Sequence, residues 1–242
     1  MLSHGGQRTM NSRARLAILG RSGRIGAEIA RLAEARKIPL TPDLDEASVV
    51  AIALPLEPGR QALAGLAGRS VVDCSGAVKR DGTGVYGLGA DPQRGRWYGN
   101  PGCIAGAVIT GLRDAEVRVG GPVHITAVGG ASYAPRGQSG TMRVARRQLD
   151  HPHVAEIAAT GLEIASFTPV ICYGTDRGLV VSISGIGSLV PQGDAFDVAD
   201  IVGLDGLILR ARQDGDHFAL TVGIDNLTWP ASRALELAYS LI

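Results

Sequence analysis

The chain has 242 residues, 45% apolar and 19% charged, with a net charge of +1. This allows one large domain or two small ones with a true core, and nothing in the near-neutral balance points to nucleic acid or to an anionic membrane surface. Three widely spaced cysteines without CxxC spacing argue against a disulfide framework and a zinc site and point to a reducing cytoplasm; no apolar run approaches the ~20 residues that span a bilayer, and polar residues 1–12 lack the apolar segment of a secretion signal.

In chain order, residues 15–19 form a short apolar run expected as a buried strand. Glycines follow at 20, 23 and 26, and residues 27–35 read as a helix burying Ile29, Ala30 and Leu32. A strand, a glycine turn and a helix open a dinucleotide-binding βαβ unit. Residues 40–44 form a stunted strand with no acidic residue placed to read a ribose. Residues 49–54 are a second buried strand ended by Pro55, 57–67 a crossover helix and 70–74 another strand. This alternation predicts a parallel, doubly wound sheet. The glycine- and aspartate-rich stretch 81–96 reads as a loop.

Residues 102–112 read as a helix entered through an Asn-Pro-Gly turn. From Val117 the pattern changes. Segments 122–128, 179–186, 201–210 and 217–224 are strand-like, and the last two flank a Gln213-Asp214-Gly215-Asp216 turn and pair as a hairpin. Residues 143–164 hold one or two helices, and 230–241 a final amphipathic helix. The expected fold is α/β: a Rossmann-type parallel sheet plus an α+β catalytic domain with an antiparallel sheet. The expected domains are 1–102, completed by the C-terminal helix 226–242, and 103–225.

Gly20, Gly23 and Gly26 let backbone N–H groups approach a pyrophosphate at a helix N-terminus. A turn needed only for packing has the same spacing. Arg21 and Arg24 are candidates for the 2′-phosphate of NADPH, because a guanidinium makes bidentate phosphate contacts, or are solvated surface residues. With Ser22 and Ile25 they complete the candidate turn.

Cys103 falls in the first turn of its expected helix. A thiolate is the reactive form of cysteine, and a helix N-terminus favours negative charge. A free cysteine by itself is more often a small buried hydrophobe, which is the reading for Cys74 and Cys172. His124 alternates within a strand and reads as structural.

Several of these stretches together resemble one family, the N-acetyl-γ-glutamyl-phosphate reductases of the semialdehyde dehydrogenase superfamily. Gly20-Arg-Ser-Gly-Arg-Ile-Gly-Ala-Glu-Ile29 is similar to the family's Gly-x-Ser-Gly-x-x-Gly-Ala-Glu-Leu. Ala53-Leu54-Pro55 matches its Ala-Leu-Pro, and Val72-Asp73-Cys74-Ser75 resembles its Ile-Asp-Leu-Ser. Asn100-Pro101-Gly102-Cys103 matches its catalytic Asn-Pro-Gly-Cys. His151-Pro152-His153-Val154-Ala155-Glu156-Ile157 resembles its His-Arg-His-x-x-Glu-Ile. Phe167-Thr168-Pro169, Arg177-Gly178 and Asp225-Asn226-Leu227 recur in family order. The chain is shorter than typical members. Pro152 stands where the family has arginine, Thr228-Trp229 replaces Lys-Gly, and the arginine expected after Asp-Leu-Ser is shifted at best to Lys79 or Arg80.

The resemblance implies an aldehyde-forming, NADP-dependent reductase in which Cys103 attacks an acyl phosphate, with His151 or His153 as acid and base. Residues two apart on a helix point in different directions, so only one of them faces the thiol. Leu54, Pro55, Ser75 and Asn226 join the turn as candidate cofactor contacts. Asn226 reads equally as a cap before the final helix. Asn100, Ser139 and Gly140 are candidate substrate contacts. The loop at Gln138 precedes a basic run, Arg143, Arg146 and Arg147, which suits phosphate or carboxylate but also a solvated helix face. No metal is implied, and a homo-oligomer built on the second domain's sheet is.

Alternatives remain within the chemistry and outside it. An aminoadipyl phosphate or a carrier-bound acyl group is a further substrate class. A non-catalytic nucleotide-binding relative fits the weak second strand. A dihydrodipicolinate-reductase-like enzyme fits the length and Ser139-Gly140-Thr141 but has no need of Cys103.

Overall fold

The computed structural model describes residues 14–134, 137–144 and 148–242. These divide into two compact units, one running through Asn100 and taking in Ala234–Ile242, the other Pro101–Arg233. The expected basic residues Arg146 and Arg147 and the polar start of the chain lie outside the described residues.

The first unit is built on β1 (Leu16–Leu19), α1 (Arg24–Ala35), β2 (Val49–Ile52), α2 (Leu56–Ala64), β3 (Ser70–Asp73), α3 (Ala77–Asp81), β4 (Val85–Tyr86) and β5 (Trp97–Gly99). Its sheet has the order β1-β2-β3-β5-β4, with every pairing parallel. β2 and β3 are buried along their whole length; β2 therefore reads as an unbroken apolar run rather than an alternating one, and β3 buries Val71 and Val72 between Ser70 and Asp73. The stunted strand at 40–44 shrinks to a single parallel bridge, Leu16 to Leu40. The loop expected over 81–96 contains β4, and the end of α3 precedes it. α1 buries Ile29, Ala30 and Leu32.

The second unit comprises α4 (Cys103–Asp114), β6 (Arg118–Gly129), a 3₁₀ turn (Ala131–Tyr133), β7 (Met142–Val144), α5 (Pro152–Ala158), β8 (Ile164–Cys172), β9 (Leu179–Ser188), α6 (Val198–Ile201), β10 (Leu207–Asp214), β11 (His217–Ile224) and the start of α7 (Thr228–Leu241). Its six-stranded sheet has the order β10-β11-β9-β6-β8-β7. Four of the five pairings are antiparallel and β6–β8 is parallel, so the expected antiparallel sheet is mixed. One face carries Val123, Ile125, Phe167, Val181, Ile183 and Leu220 into a core shared with Ile104, Ala107 and Val108 of α4. β10 and β11 pair around Gly215 as the hairpin expected.

Three elements differ from expectation for identifiable reasons. Residues 201–206 are not strand: Asp197 and Asp200 form a reciprocal capping box that starts α6, and the strand begins at Leu207. β8 contains Pro169, which breaks the strand pattern. It is tolerated because β7 pairs with Val170, Ile171 and Cys172 and stops short of the proline. β7 occupies the start of a stretch expected as helical, of which α5 is the one helix among the described residues.

Candidate active site

In the first unit, the glycine turn joins β1 to α1. Gly20 has φ +85°, and a Cβ there would stand 2.5 Å from the Ala53 carbonyl oxygen. A Cβ on Gly26 would stand 2.1 Å from the Gly20 oxygen, so the first turn of α1 lies directly on the turn backbone. Gly23 is the N-cap of α1, and no side chain caps it. Helix geometry leaves first-turn N–H groups without intrahelical partners, so this end suits a pyrophosphate. Arg21 is exposed and pairs with Glu34 at 2.8 Å, an exposed contact that is readily exchanged for a phosphate. Ser22 is exposed, and Arg24 and Ile25 are half-buried.

Leu54 and Pro55 follow β2, Ser75 follows β3 and Asn100 follows β5. These strands are parallel to β1 or to its neighbours, so the four positions share the carboxyl edge with Gly20, where open α/β sheets bind ligands. The Leu54 side chain lies against Gly20. Asp73 organises the β3–α3 turn, accepting hydrogen bonds from Ser75 N and Oγ and from Val78 N. Burial, then the Asp73 charge, push the Cys74 thiol up to about 12, so Cys74 is a neutral thiol.

In the second unit, Cys103 is the first residue of α4, with Gly102 as an extended N-cap that no side chain caps by the usual N2 or N3 contact. α5 stands over this turn. The Gly102 N–H donates to Glu156 Oε2 at 3.0 Å. A Cβ on Gly102 would stand 2.2 Å from His153 Nε2, so only glycine lets the imidazole lie over the segment that carries the thiol. His151 does something different. It is the N-cap of α5, its Nδ1 accepts from the His153 N–H at 3.3 Å, and its ring rests on Phe167 with centroids 5.3 Å apart.

The Tyr133 hydroxyl is 3.4 Å from His153 Nδ1 and hydrogen-bonds the Cys103 side chain. Burial first, and then negative charge at Cys103 and Glu156, hold the phenol well above its ordinary range. Cys103, Tyr133, His153 and Glu156 thus form one cluster. The sequence marks Glu156 through its i, i+3 spacing from His153 on a helix. Nothing in the sequence marks Tyr133.

Asn226 is tied to the turn that carries Tyr133 and has its amide engaged: it is 4% exposed, accepts from Gly178 N at 3.0 Å and donates to Ser132 Oγ at 3.1 Å. Asp225, fully buried, accepts from Arg177, Gly203, Leu227 and Thr228. The Arg177-Gly178 and Asp225-Asn226 elements, 48 residues apart, therefore meet side chain to side chain and side chain to backbone. Ser139 and Gly140 are exposed in the loop before β7, where Gln138 accepts from Arg143. His124 hydrogen-bonds Ser166 on the open face of the sheet. Among the described residues, no group of three or more His, Cys, Asp or Glu is placed to hold a metal, and no helix is long and apolar enough to cross a membrane.

The fold is similar to those of solved aspartate-semialdehyde dehydrogenase structures. The structure is similar to that of a probable aspartate-semialdehyde dehydrogenase from Pseudomonas aeruginosa, with 15% identity over 94% of this chain and 98% of that one and a TM-score of 0.72. It is equally similar to aspartate semialdehyde dehydrogenase II from Vibrio cholerae complexed with ASA, with 14% identity over 96% of this chain and 98% of that one and a TM-score of 0.73. At these identities the likeness establishes the fold. No protein-family model and no curated protein sequence matches the chain.

Proposed function

We propose that the protein reduces an acyl phosphate to an aldehyde with NADPH, through a thioester on Cys103. The observation that carries this reading is the second unit's cluster: a cysteine at a helix start, an imidazole held over its N-cap glycine, and a carboxylate fixing that glycine's N–H. In the reductive direction the Cys103 thiolate attacks the acyl carbon and phosphate leaves. In this reading His153 protonates the leaving oxygen and holds the thiol's proton meanwhile. His151, committed to capping α5, orients His153 instead. The glycine turn with Arg21, Ser22, Arg24 and Ile25, together with Leu54, Pro55 and Ser75, would hold the dinucleotide. When bound, NADPH supplies the hydride that reduces the thioester. Collapse of the resulting adduct on Cys103 releases the aldehyde and returns the sulfur.

The semialdehyde dehydrogenase fold and the ordered sequence elements support an acidic amino acid, phosphorylated on its side-chain carboxylate, as the substrate class. The resemblance favours the N-acetyl-γ-glutamyl compound and a place in arginine biosynthesis. The neighbours' chemistry favours the aspartyl one. Aminoadipyl and carrier-bound acyl phosphates belong to the same class, and a cytoplasmic enzyme is expected for all of them. The outward face of the second sheet, with Thr126, Ser182 and the half-exposed Ile186, suits a second copy of the chain.

The test is phosphate-dependent oxidation of N-acetylglutamate γ-semialdehyde and aspartate β-semialdehyde with NADP⁺. Wild-type protein should turn over one of them and form a thioester visible by mass spectrometry on the Cys103 peptide. Cys103→Ala should lose turnover by several orders of magnitude while still binding NADPH. Normal turnover by Cys103→Ala overturns covalent catalysis. A wild-type chain that binds NADPH but acts on no aldehyde supports a binding protein instead.

A further inference from the structure

Tyr133 reaches the thiol from a stiffly held turn. The Ala131 N–H donates to Thr175 O at 2.8 Å, Ser132 N–H to Asp176 O at 2.8 Å and Tyr133 N–H to Gly130 O at 2.9 Å. Asn226 Nδ2 adds a bond to Ser132 Oγ at 3.1 Å. The 3₁₀ turn is thereby tied to the ends of β6, β8 and β11, and its last residue presents one hydroxyl to two partners. One is the Cys103 side chain, the other His153 Nδ1 at 3.4 Å. The other ring nitrogen, Nε2, is on the far side, against Gly102.

We propose that Tyr133 is the proton relay between Cys103 and His153. This rests on Cys103 being the nucleophile of the proposed reductase. The thiol proton passes to the phenol oxygen while the phenol's own proton passes to Nδ1. One S–H and one O–H bond break, one O–H and one N–H bond form, and the phenol is regenerated. The products are a thiolate hydrogen-bonded by Tyr133 and an imidazolium whose Nε2–H remains as the donor to a leaving phosphate oxygen. Before transfer His153 is the Nε2–H tautomer, with its Nδ1 lone pair accepting from the phenol. A relay must keep its own proton at working pH, and the buried phenol beside Cys103 and Glu156 does so.

The experiment is the pH dependence of iodoacetamide alkylation, read at the Cys103 peptide by mass spectrometry. It needs neither substrate nor cofactor. In Tyr133→Phe the alkylation midpoint should rise by about one pH unit, a roughly tenfold slower reaction at neutral pH. His153→Ala should show a like shift, and Tyr133→Phe/His153→Ala should be no slower than His153→Ala alone, because a relay without its acceptor has nothing to lose. An unchanged midpoint in folded Tyr133→Phe, or additive losses in the double variant, overturns the relay. Should Tyr133→Phe fail to fold, ¹⁵N imidazole shifts of neutral His153 in Cys103→Ala protein decide: the Nε2–H tautomer supports the relay and the Nδ1–H tautomer overturns it. Turnover of a semialdehyde with an unchanged alkylation profile removes the relay alone. A shifted profile without turnover on any acyl phosphate or semialdehyde removes the reductase reading alone.

Discussion

The Gly102 N–H donates to the Glu156 carboxylate at 3.0 Å, joining the N-cap of α4 to the middle of α5 across 54 residues of sequence. The bond does two things. It satisfies a helix-terminal donor that would otherwise face the packed side of α5, and it fixes the distance between the thiol's helix and the helix that carries His153. A charge-assisted bond of this kind is worth roughly 1.5–3 kcal/mol, the lower end applying to a half-buried group. Glu156→Ala is therefore expected to lower unfolding free energy in urea by about 1.5 kcal/mol and to reduce kcat by more than its effect on KM. Glu156→Gln, which keeps an acceptor, should recover most of the stability. Equal stability of the two variants would show that Gly102 does not need this partner.

Gly102 itself admits no side chain. A methyl group there would meet His153 Nε2 at 2.2 Å, and the imidazole would have to move. Misplacing a catalytic group by about 1 Å costs on the order of 10²-fold in rate. Gly102→Ala should show that loss in kcat while its Cys103 remains open to alkylation. Activity within a fewfold of wild type would mean that His153 does not work from its present position.

The two histidines should separate cleanly. His153→Ala removes the proposed acid–base group and should lower kcat by about 10²–10⁴-fold with little change in Tm. His151→Ala removes an N-cap and should cost about 1 kcal/mol of stability, with activity falling only as far as α5 loosens. His151→Asn should restore the cap and the stability. The reverse pattern, with His151→Ala the dead variant, would exchange their roles.

That distinction shows where the sequence stopped being legible. Spacing placed both histidines on one short helix start, and spacing alone had no means of choosing, because the choice depends on a cap bond and a ring stacked on Phe167. The thiol at a helix start could be read, because an Asn-Pro-Gly turn before an apolar run is a local signal. The glycine turn could be read for the same reason. The β10–β11 hairpin was announced by its Asp-Gly-Asp turn. β8 was hidden by Pro169, whose tolerance depends on where β7 stops pairing. Tyr133 was hidden more deeply: its place at the thiol follows from bonds to Thr175, Asp176 and Asn226, all distant in the chain.

Cys74 offers a contrast with Cys103 inside the same molecule. Its thiol is held up at about 12 by burial and by Asp73, above its ordinary value in the unfolded chain. The folded state thus binds this proton more tightly than the unfolded state does. The stabilisation is fully present below the unfolded value and is lost as pH rises through that value toward about 12. Stability in urea should therefore fall through the alkaline range, and Cys74→Ala should flatten part of that slope. At neutral pH iodoacetamide should leave Cys74 unmodified in native protein. Rapid alkylation of Cys74 without unfolding would show that its sulfur is not desolvated.

Asp225 is fully buried and pairs with Arg177 at 2.9 Å, and the guanidinium also donates to Thr228 Oγ1. The same carboxylate takes the N–H groups of Gly203, Leu227 and Thr228, so it anchors α7 and the turn after α6 at once. Removing one partner of a buried pair costs about 3–5 kcal/mol, because the remaining charge keeps its desolvation penalty and loses its compensation. Asp225→Ala should fall in that range. Asp225→Asn, which keeps an acceptor but not the charge, should cost less. Asn226→Ala acts on the neighbouring amide, which ties Gly178 to the 3₁₀ turn that ends in Tyr133. It should therefore disturb the pH profile of Cys103 alkylation as well as stability, whereas Asp225→Asn should move stability alone. If both variants leave the alkylation profile untouched, the Asp225-Asn226 corner supports the fold without setting the geometry of the thiol.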